Sequence, residues 1–174
     1  MISRLDITDV LRNHVHTMSS VRTGKILWGD ILLFYALPLA IGIAVSKFFP
    51  AKTLIAAKGD LLTAVSIIGG FLFALFAYIV TVLDKLQSIN STSPVKNRFA
   101  REIHTNIAYT ILISLLSIVL LVCTGFLKVT PEGWEVWGKQ VFFVALYAVL
   151  LHFLFSLVMV IRRVYIVVDS TINP

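Results

Sequence analysis

The chain has 174 residues, of which 58% are hydrophobic and 14% are charged. Soluble domains contain about 45–50% apolar and about 25% charged residues, so this composition excludes an ordinary soluble domain and indicates an integral membrane protein. The formal net charge is +6, and the single cysteine, Cys123, excludes a disulfide framework and a cysteine metal site.

Residues 1–25 are expected to form a cytoplasmic amphipathic helix at the membrane surface. Leu11, Val15 and Met18 repeat at helical spacing, whereas Arg12 and its polar neighbours face the other way. One interpretation is an interfacial anchor helix. The other is a docking surface for a soluble partner or ligand.

Four apolar stretches are predicted to cross the membrane and to form one domain over residues 26–163. A helix rises about 1.5 Å per residue, so about 20 apolar residues cross a hydrocarbon core of about 30 Å. The fold class is therefore an all-α integral membrane protein, with a tail over residues 164–174. The predicted spans are residues 26–49, 61–84, 103–127 and 140–161.

Pro38 lies in the middle of the first predicted span. Proline has no backbone N–H and interrupts helical hydrogen bonding, so a kink is expected there. This kink is either a hinge or a static bend.

Basic residues are concentrated on one side of the predicted topology. Ten of the 15 Lys and Arg residues lie before the first span, in the polar loop 85–102, or just after the last span. The positive-inside rule places both termini and this loop in the cytoplasm. Together they would form a basic rim that attracts anionic lipid or a phosphate-rich ligand such as a nucleotide or single-stranded nucleic acid. We expect His14 in this rim, and the candidate ligand-binding residues are Arg12, Arg22, Lys25, Lys96, Arg98, Arg101, Arg162 and Arg163.

Small and polar residues form one stripe on each of the last three spans, at spacings of three and four. Small residues let membrane helices approach closely, so the stripes either face one another inside one chain or line a path between several copies. A single four-helix bundle is packed solid, and a conducting path would need a ring of subunits. The candidate pore or gate residues are Thr63, Ser66, Thr81, Asn106, Thr110, Ser117, His152 and Ser156.

His152 lies near the middle of its span, where an ionisable side chain is costly and points to a functional site. One interpretation is that it acts as a gate or pH-sensitive element. The alternative is a neutral imidazole that hydrogen-bonds a hydroxyl of a neighbouring helix, for which Ser114 and Ser117 are the expected partners.

Residues 133–139 fit the first seven positions of a P-loop, but Gln140 follows where Ser or Thr must reach magnesium. The chain has no zinc-protease, nucleophile-elbow or dinucleotide-binding motif. We therefore expect no enzymatic activity, no cofactor and no metal. A small transporter is a further alternative, although four spans without an internal repeat disfavour it.

The layout of an amphipathic arm, four spans and a basic hairpin between the second and third spans resembles the small four-span membrane subunits of bacterial anti-phage defence systems of the Hailong and Kiwa types. The resemblance covers the whole chain and includes no residue motif. It implies a homo-oligomer, a tetramer in particular, in the bacterial inner membrane. Such a protein would be an ion channel that a nucleotide or oligonucleotide signal opens to depolarise the membrane, or a non-conducting sensor that recruits a soluble partner.

Overall fold

The computed structural model describes residues 7–17, 29, 32–49, 51–88, 94–126 and 134–172, and it describes side chains for residues 7–15, 29, 32–49, 51–81, 101–126 and 137–165. Every regular element in these ranges is helical. In chain order the helices are α1 (Thr8–Thr17), α2 (a π-helical turn, Leu32–Ala36, followed by α-helix Leu37–Phe48), α3 (Ala51–Ala56), α4 (Lys58–Ser88), α5 (Pro94–Cys123, extended by a 3-10 turn, Thr124–Phe126) and α6 (Trp134–Ile172).

Three of these helices are long and apolar enough to cross a membrane. The stretches that meet this criterion are Lys58–Thr81 in α4, Arg101–Phe126 in α5 and Trp137–Tyr165 in α6. Helix α2 is shorter but also apolar, and residues 26–28, 30 and 31 of the first predicted span lie outside the described residues. The predicted all-α class is confirmed, and the last three predicted spans coincide with long apolar helices.

The loop predicted over residues 85–102 is mostly helical instead. Helix α4 continues to Ser88 and α5 begins at Pro94, so Lys96, Arg98 and Arg101 lie on a helix. Proline suits the first turn of a helix, where its missing N–H is not needed, and Lys and Arg are good helix formers. Helix α6 likewise continues to Ile172 through most of the segment predicted as a tail. Polar composition indicates where the apolar stretches end but not where the helices end.

Helices α5 and α6 form the centre of the bundle. Helix α4 packs mainly on α5, and α2 packs on α6. Helices α2 and α6 approach each other closely at Gly42, where an added Cβ would lie 3.0 Å from the backbone nitrogen of Ala148 and 3.1 Å from the carbonyl oxygen of Val144. Small residues at such crossings allow the close backbone packing on which helix association in lipid depends.

Two apolar clusters fill the spaces between these helices. The larger one joins Val65 and Leu72 of α4 to Ile107 of α5 and Phe153 of α6. The second one surrounds Leu121 near the other end of α5 and includes residues of α3 and α6. Of the three long helices, α4 contributes least to the interior: within an apolar 18-residue window of each helix, 11% of the residues are buried in α4, against 39% in α5 and 33% in α6.

Candidate functional site

His152 of α6 lies beside the point where α2 changes its helical winding. Pro38 has no N–H, so it cannot donate to the carbonyl of Phe34 four residues earlier, as an α-helix requires. The Nδ1 atom of His152 lies 2.8 Å from that carbonyl oxygen. A side-chain N–H from a different helix therefore takes the place of the backbone donor that proline removes.

Tyr109 of α5 binds the other nitrogen of the same ring. Because a carbonyl oxygen only accepts, Nδ1 of His152 carries the proton and Nε2 of the neutral ring accepts a hydrogen bond. The hydroxyl of Tyr109 lies 2.6 Å from Nε2 and donates to it. The hydroxyl of Tyr35 lies 3.5 Å from the Tyr109 oxygen, and the Tyr35 ring stacks on the His152 ring with centroids 5.0 Å apart. These contacts tie α2, α5 and α6 together.

Helix α1 reaches the same group of side chains through His14. The His14 ring stacks on the Tyr109 ring, with centroids 3.6 Å apart and planes inclined by 8°. Its Nδ1 lies 3.0 Å from Oδ1 of Asn106. We call His14, Tyr35, Asn106, Tyr109 and His152 the histidine–tyrosine cluster. It joins four helices at one place in the fold.

The predicted exposure of His14 is wrong. His14, expected at a basic cytoplasmic rim, is 0% exposed. The reason is the surface that α1 meets: Asn106 and Tyr109 offer an amide and an aromatic face, which match an imidazole better than an aliphatic side chain. Met18 lies outside the described residues.

The environment of His14 favours its neutral form. The pKa of His14 is lowered to about 4, mainly by burial and also by charge on His152 and Arg163, whereas the hydrogen bond to Asn106 acts in the opposite direction. At neutral pH the ring is therefore uncharged where α1 is docked.

The predicted hydroxyl partners of His152 are also wrong. Ser114 donates to the carbonyl of Ile111 and Ser117 donates to the carbonyl of Ile113, each at 2.8 Å within α5 itself. Serine in a membrane helix commonly bonds the preceding turn in this way, which leaves it small and locally satisfied. Tyr109 has a longer side chain and reaches across to α6 instead.

The candidate pore residues divide into two groups. Five of them, Asn106, Thr110, Ser117, His152 and Ser156, are buried inside the single chain. The hydroxyl oxygen of Ser156 has no hydrogen-bond partner among the described residues. The other three, Thr63, Ser66 and Thr81, are exposed on α4.

The candidate ligand-binding residues are only partly described. Arg12, Arg101 and Arg162 are exposed, whereas Arg22, Lys25 and the side chains of Lys96 and Arg98 lie outside what the structure describes. Arg163 is different, because its guanidinium donates to a carboxylate oxygen of Glu102 at 2.7 Å. The side chains of that pair are 20% and 17% exposed, so Arg163 binds α5 rather than standing open to a ligand.

Sequence reasoning missed Tyr35 and Tyr109 as members of the site. One signal could have indicated Tyr109, and a second could have indicated the role of His152. Tyr109 follows Asn106 by three residues and shares its helix face. Pro38 also predicts a carbonyl without a donor at Phe34, and a buried histidine is a suitable donor for it.

The geometry of the histidine–tyrosine cluster suits coupling between helices. Within the ranges that carry side chains, no group of three His, Cys, Asp or Glu residues could hold a metal ion. No family model, curated protein or solved structure matches the chain.

Proposed function

We propose that the chain is a subunit of a homo-oligomeric membrane channel in which α4 lines the path between copies. One observation carries this proposal: α4 turns its small and hydroxyl residues outward, whereas α5 and α6 bury theirs within the chain. The five buried candidates pack against residues of the same chain and are not part of the proposed path. Thr63, Ser66 and Thr81 remain.

The outward stripe of α4 lies on the side opposite its packing face. At about 100° per residue, the stripe occupies a sector of about 80°, and Val65 and Leu72, which pack inward, point the other way. The small members leave open space beside them, and an added Cβ at Gly70 would meet nothing within 4 Å. The stripe consists of Thr63, Ser66, Gly70, Ala74, Ala77 and Thr81.

Such a face is a poor surface for lipid and a good one for another helix or a narrow polar path. Lipid-facing positions favour large apolar side chains, and small residues are typical of helix–helix contacts in membranes. Phe71, Phe73 and Tyr78 flank the stripe and are 73%, 63% and 66% exposed. In a ring of copies these large residues would fill the space between neighbouring subunits, while the stripe faces the axis.

The hydroxyls on the stripe are oriented in a way that suits a path. Thr63 donates to the carbonyl of Gly59 at 2.9 Å, and Thr81 donates to the carbonyl of Ala77 at 3.1 Å. Because each proton is used within the helix, each oxygen presents its lone pairs outward to a passing cation or water. No carboxylate is needed for such a weakly selective path.

The remaining features of the proposal concern orientation and gating. The apolar helix α2 would be the first of four spans. By the positive-inside rule, both termini and the Arg101 end of α5 would lie on the cytoplasmic side of a bacterial inner membrane. The exposed Arg101 and Arg162 lie at that end. Repeated around a ring, they would attract an anionic nucleotide or oligonucleotide that opens the channel, and the resulting depolarisation would serve anti-phage defence.

A non-conducting sensor is the second candidate, and the docking of α1 favours it. His14 ties a polar N-terminal helix to the centre of the bundle. A partner that binds the exposed face of α1 would thereby reach α5. This candidate predicts a soluble protein that copurifies with the chain and is lost when residues 1–25 are deleted.

Cysteine substitution on α4 tests the channel. The background is Cys123→Ala, the chain is reconstituted in liposomes, and cation flux is followed with a voltage-sensitive dye after addition of a water-soluble, charged thiol reagent. Ser66→Cys and Ala74→Cys on the stripe should lose most of their flux. Leu116→Cys, exposed on α5, is the matched control and should keep its flux.

The outcomes separate the two candidates. Equal effects at the α4 and α5 positions would reject α4 as the lining of the path. A chain that shows no flux, with or without cyclic nucleotides and short oligonucleotides, would reject the channel and leave the sensor.

A further inference from the structure

Helix α1 is attached to the bundle in an unusual way. Its fully buried side chain is an imidazole, and Ile7 and Leu11 are 49% and 41% exposed rather than packed against α5. Val10 and Val15 are half-buried. A helix of ten residues is marginal on its own, so its place depends on a contact that is polar and specific.

The contact surface on α5 is shaped for that ring. Tyr109, which is 3% exposed, offers an aromatic face at 3.6 Å from the ring centroid, and Asn106 offers an amide oxygen at 3.0 Å from Nδ1. The amide oxygen fixes the proton of His14 on Nδ1. The neutral ring makes both contacts, and its burial in this closed space disfavours the charged form.

We propose that α1 is a releasable latch, that is, a helix that docks on the bundle and undocks from it, and that His14 holds the docked state. Release would uncover Tyr109 and the His152 contact with α2. The inference goes beyond conduction, because it concerns how one helix is held. It applies equally if the assembly is a channel or a sensor.

The groups that face His14 decide the sign of its response to acid. From α5 these are Asn106 and Tyr109, which are uncharged. From α6 they are Arg163, whose positive charge opposes a positive charge on His14, and His152, which opposes it when it is itself protonated. Glu102 neutralises Arg163 through their 2.7 Å contact.

Protonation therefore favours the released state. Docked His14 has a pKa of about 4 against an ordinary value of 6.5, so docking is strongest above pH 6.5 and weakens as the pH falls toward 4. By linkage, the docking constant should fall about fourfold between pH 8 and pH 6 and about thirtyfold between pH 8 and pH 5.

Thiol protection measures docking directly in the full-length chain. The half-buried Val10 is replaced by cysteine in the Cys123→Ala background, and its reaction with a dipyridyl disulfide is timed between pH 8 and pH 5. The protection factor is the reaction rate of a free peptide of residues 7–17 with the same substitution, divided by the rate of the full-length chain. This ratio cancels the effect of pH on the thiol. This protection factor should fall about thirtyfold.

Variants then assign the effect to His14. His14→Phe keeps an aromatic ring over Tyr109 and should give protection that does not change with pH. Asn106→Asp supplies a carboxylate that stabilises charged His14, so protection should no longer fall in acid. His104→Phe is the control: His104 stacks on Phe76 at 4.5 Å, away from α1, and its replacement should leave the parent's response intact.

Two results would overturn the latch. One is a protection factor that stays constant from pH 8 to pH 5 in the parent chain. The other is a pH dependence that survives in Asn106→Asp and in His14→Phe alike. If His14→Phe fails to dock at any pH, Asn106→Asp alone decides, with circular dichroism confirming that each variant retains its helices.

Discussion

Helices α4 and α5 carry nearly the same kinds of polar residue, but α4 exposes them at the surface and α5 buries them in the interior. Thr110 and Ser117 of α5 are 0% exposed, whereas Thr63, Ser66 and Thr81 of α4 are exposed. Hydrogen bonding does not distinguish the two sets, because Thr110 and Thr81 both donate to the carbonyl four residues earlier, at 2.7 Å and 3.1 Å. What differs is the neighbour. Helix α5 has partners on several sides within the chain, and α4 packs mainly on α5.

The difference shows how membrane helices distribute their close contacts. A stripe of small and polar residues identifies a face that will be packed, but it does not say whether the partner belongs to the same chain. The interior stripe is already packed within the chain. The stripe of α4 is exposed, and under our proposal it is the face on which copies assemble. The comparison can be tested one substitution at a time.

Gly42→Val should cause the largest loss of stability. A Cβ at this position would lie 3.0–3.2 Å from backbone atoms of Ala148 and Val144, and those backbone atoms cannot move aside. The expected cost is about 3 kcal/mol, measured by thermal or denaturant unfolding in detergent. Gly70→Val is the matched control on α4 and should leave the unfolding of the dispersed chain unchanged while it weakens the oligomer on native gels. An equal loss in both variants would refute the comparison.

Arg163→Gln should come next. It leaves the carboxylate of Glu102 without its ion pair in a site where both side chains are largely buried, at a cost of about 2 kcal/mol in the same unfolding assay. Arg162→Gln removes the same charge at the neighbouring exposed position and should change stability by less than about 0.5 kcal/mol. If the two variants behave alike, the pair does not hold α5 to α6.

Tyr109→Phe should have a smaller effect of about 1 kcal/mol, as is typical for a hydrogen bond between membrane helices. It keeps the ring against His14 but removes the hydroxyl that donates to His152 at 2.6 Å. Tyr78→Phe, at a position 66% exposed on α4, is the control and should be neutral. A neutral Tyr109→Phe would mean that His152 does not depend on this donor.

Thr81→Val should be the mildest change, within about 0.5 kcal/mol in the dispersed chain, because an exposed methyl replaces an exposed hydroxyl. Thr110→Val replaces a buried hydroxyl and should cost more, about 1 kcal/mol. In liposomes the order should reverse, with Thr81→Val reducing flux and Thr110→Val leaving it near the parent value. If Thr110→Val reduced flux and Thr81→Val did not, the path would be assigned to α5 instead of α4.

The sequence predicted the helical class and three of the long apolar helices because these depend on length and hydropathy alone. It also located Pro38 as an interruption. It did not predict that His14 is buried, since a decapeptide gives no information about the surface on which it packs. The partner of His152 was missed for the same reason: Tyr109 and Ser114 lie five residues apart on α5, about 140° from each other around the helix, and only the crossing of three helices decides which one reaches the ring.

The contact between His152 and the Phe34 carbonyl also constrains how the protein is made. The carbonyl belongs to the first long apolar segment to be synthesised, and its donor belongs to the last. Until α6 is inserted, an unpaired carbonyl in α2 would lie in lipid at a cost of several kcal/mol. We therefore expect α2 to settle in the membrane only after the chain is complete. Nascent chains stopped before residue 134 should insert α2 less fully than full-length chains, as a glycosylation or protease-protection assay would measure, and Pro38→Ala should remove the difference.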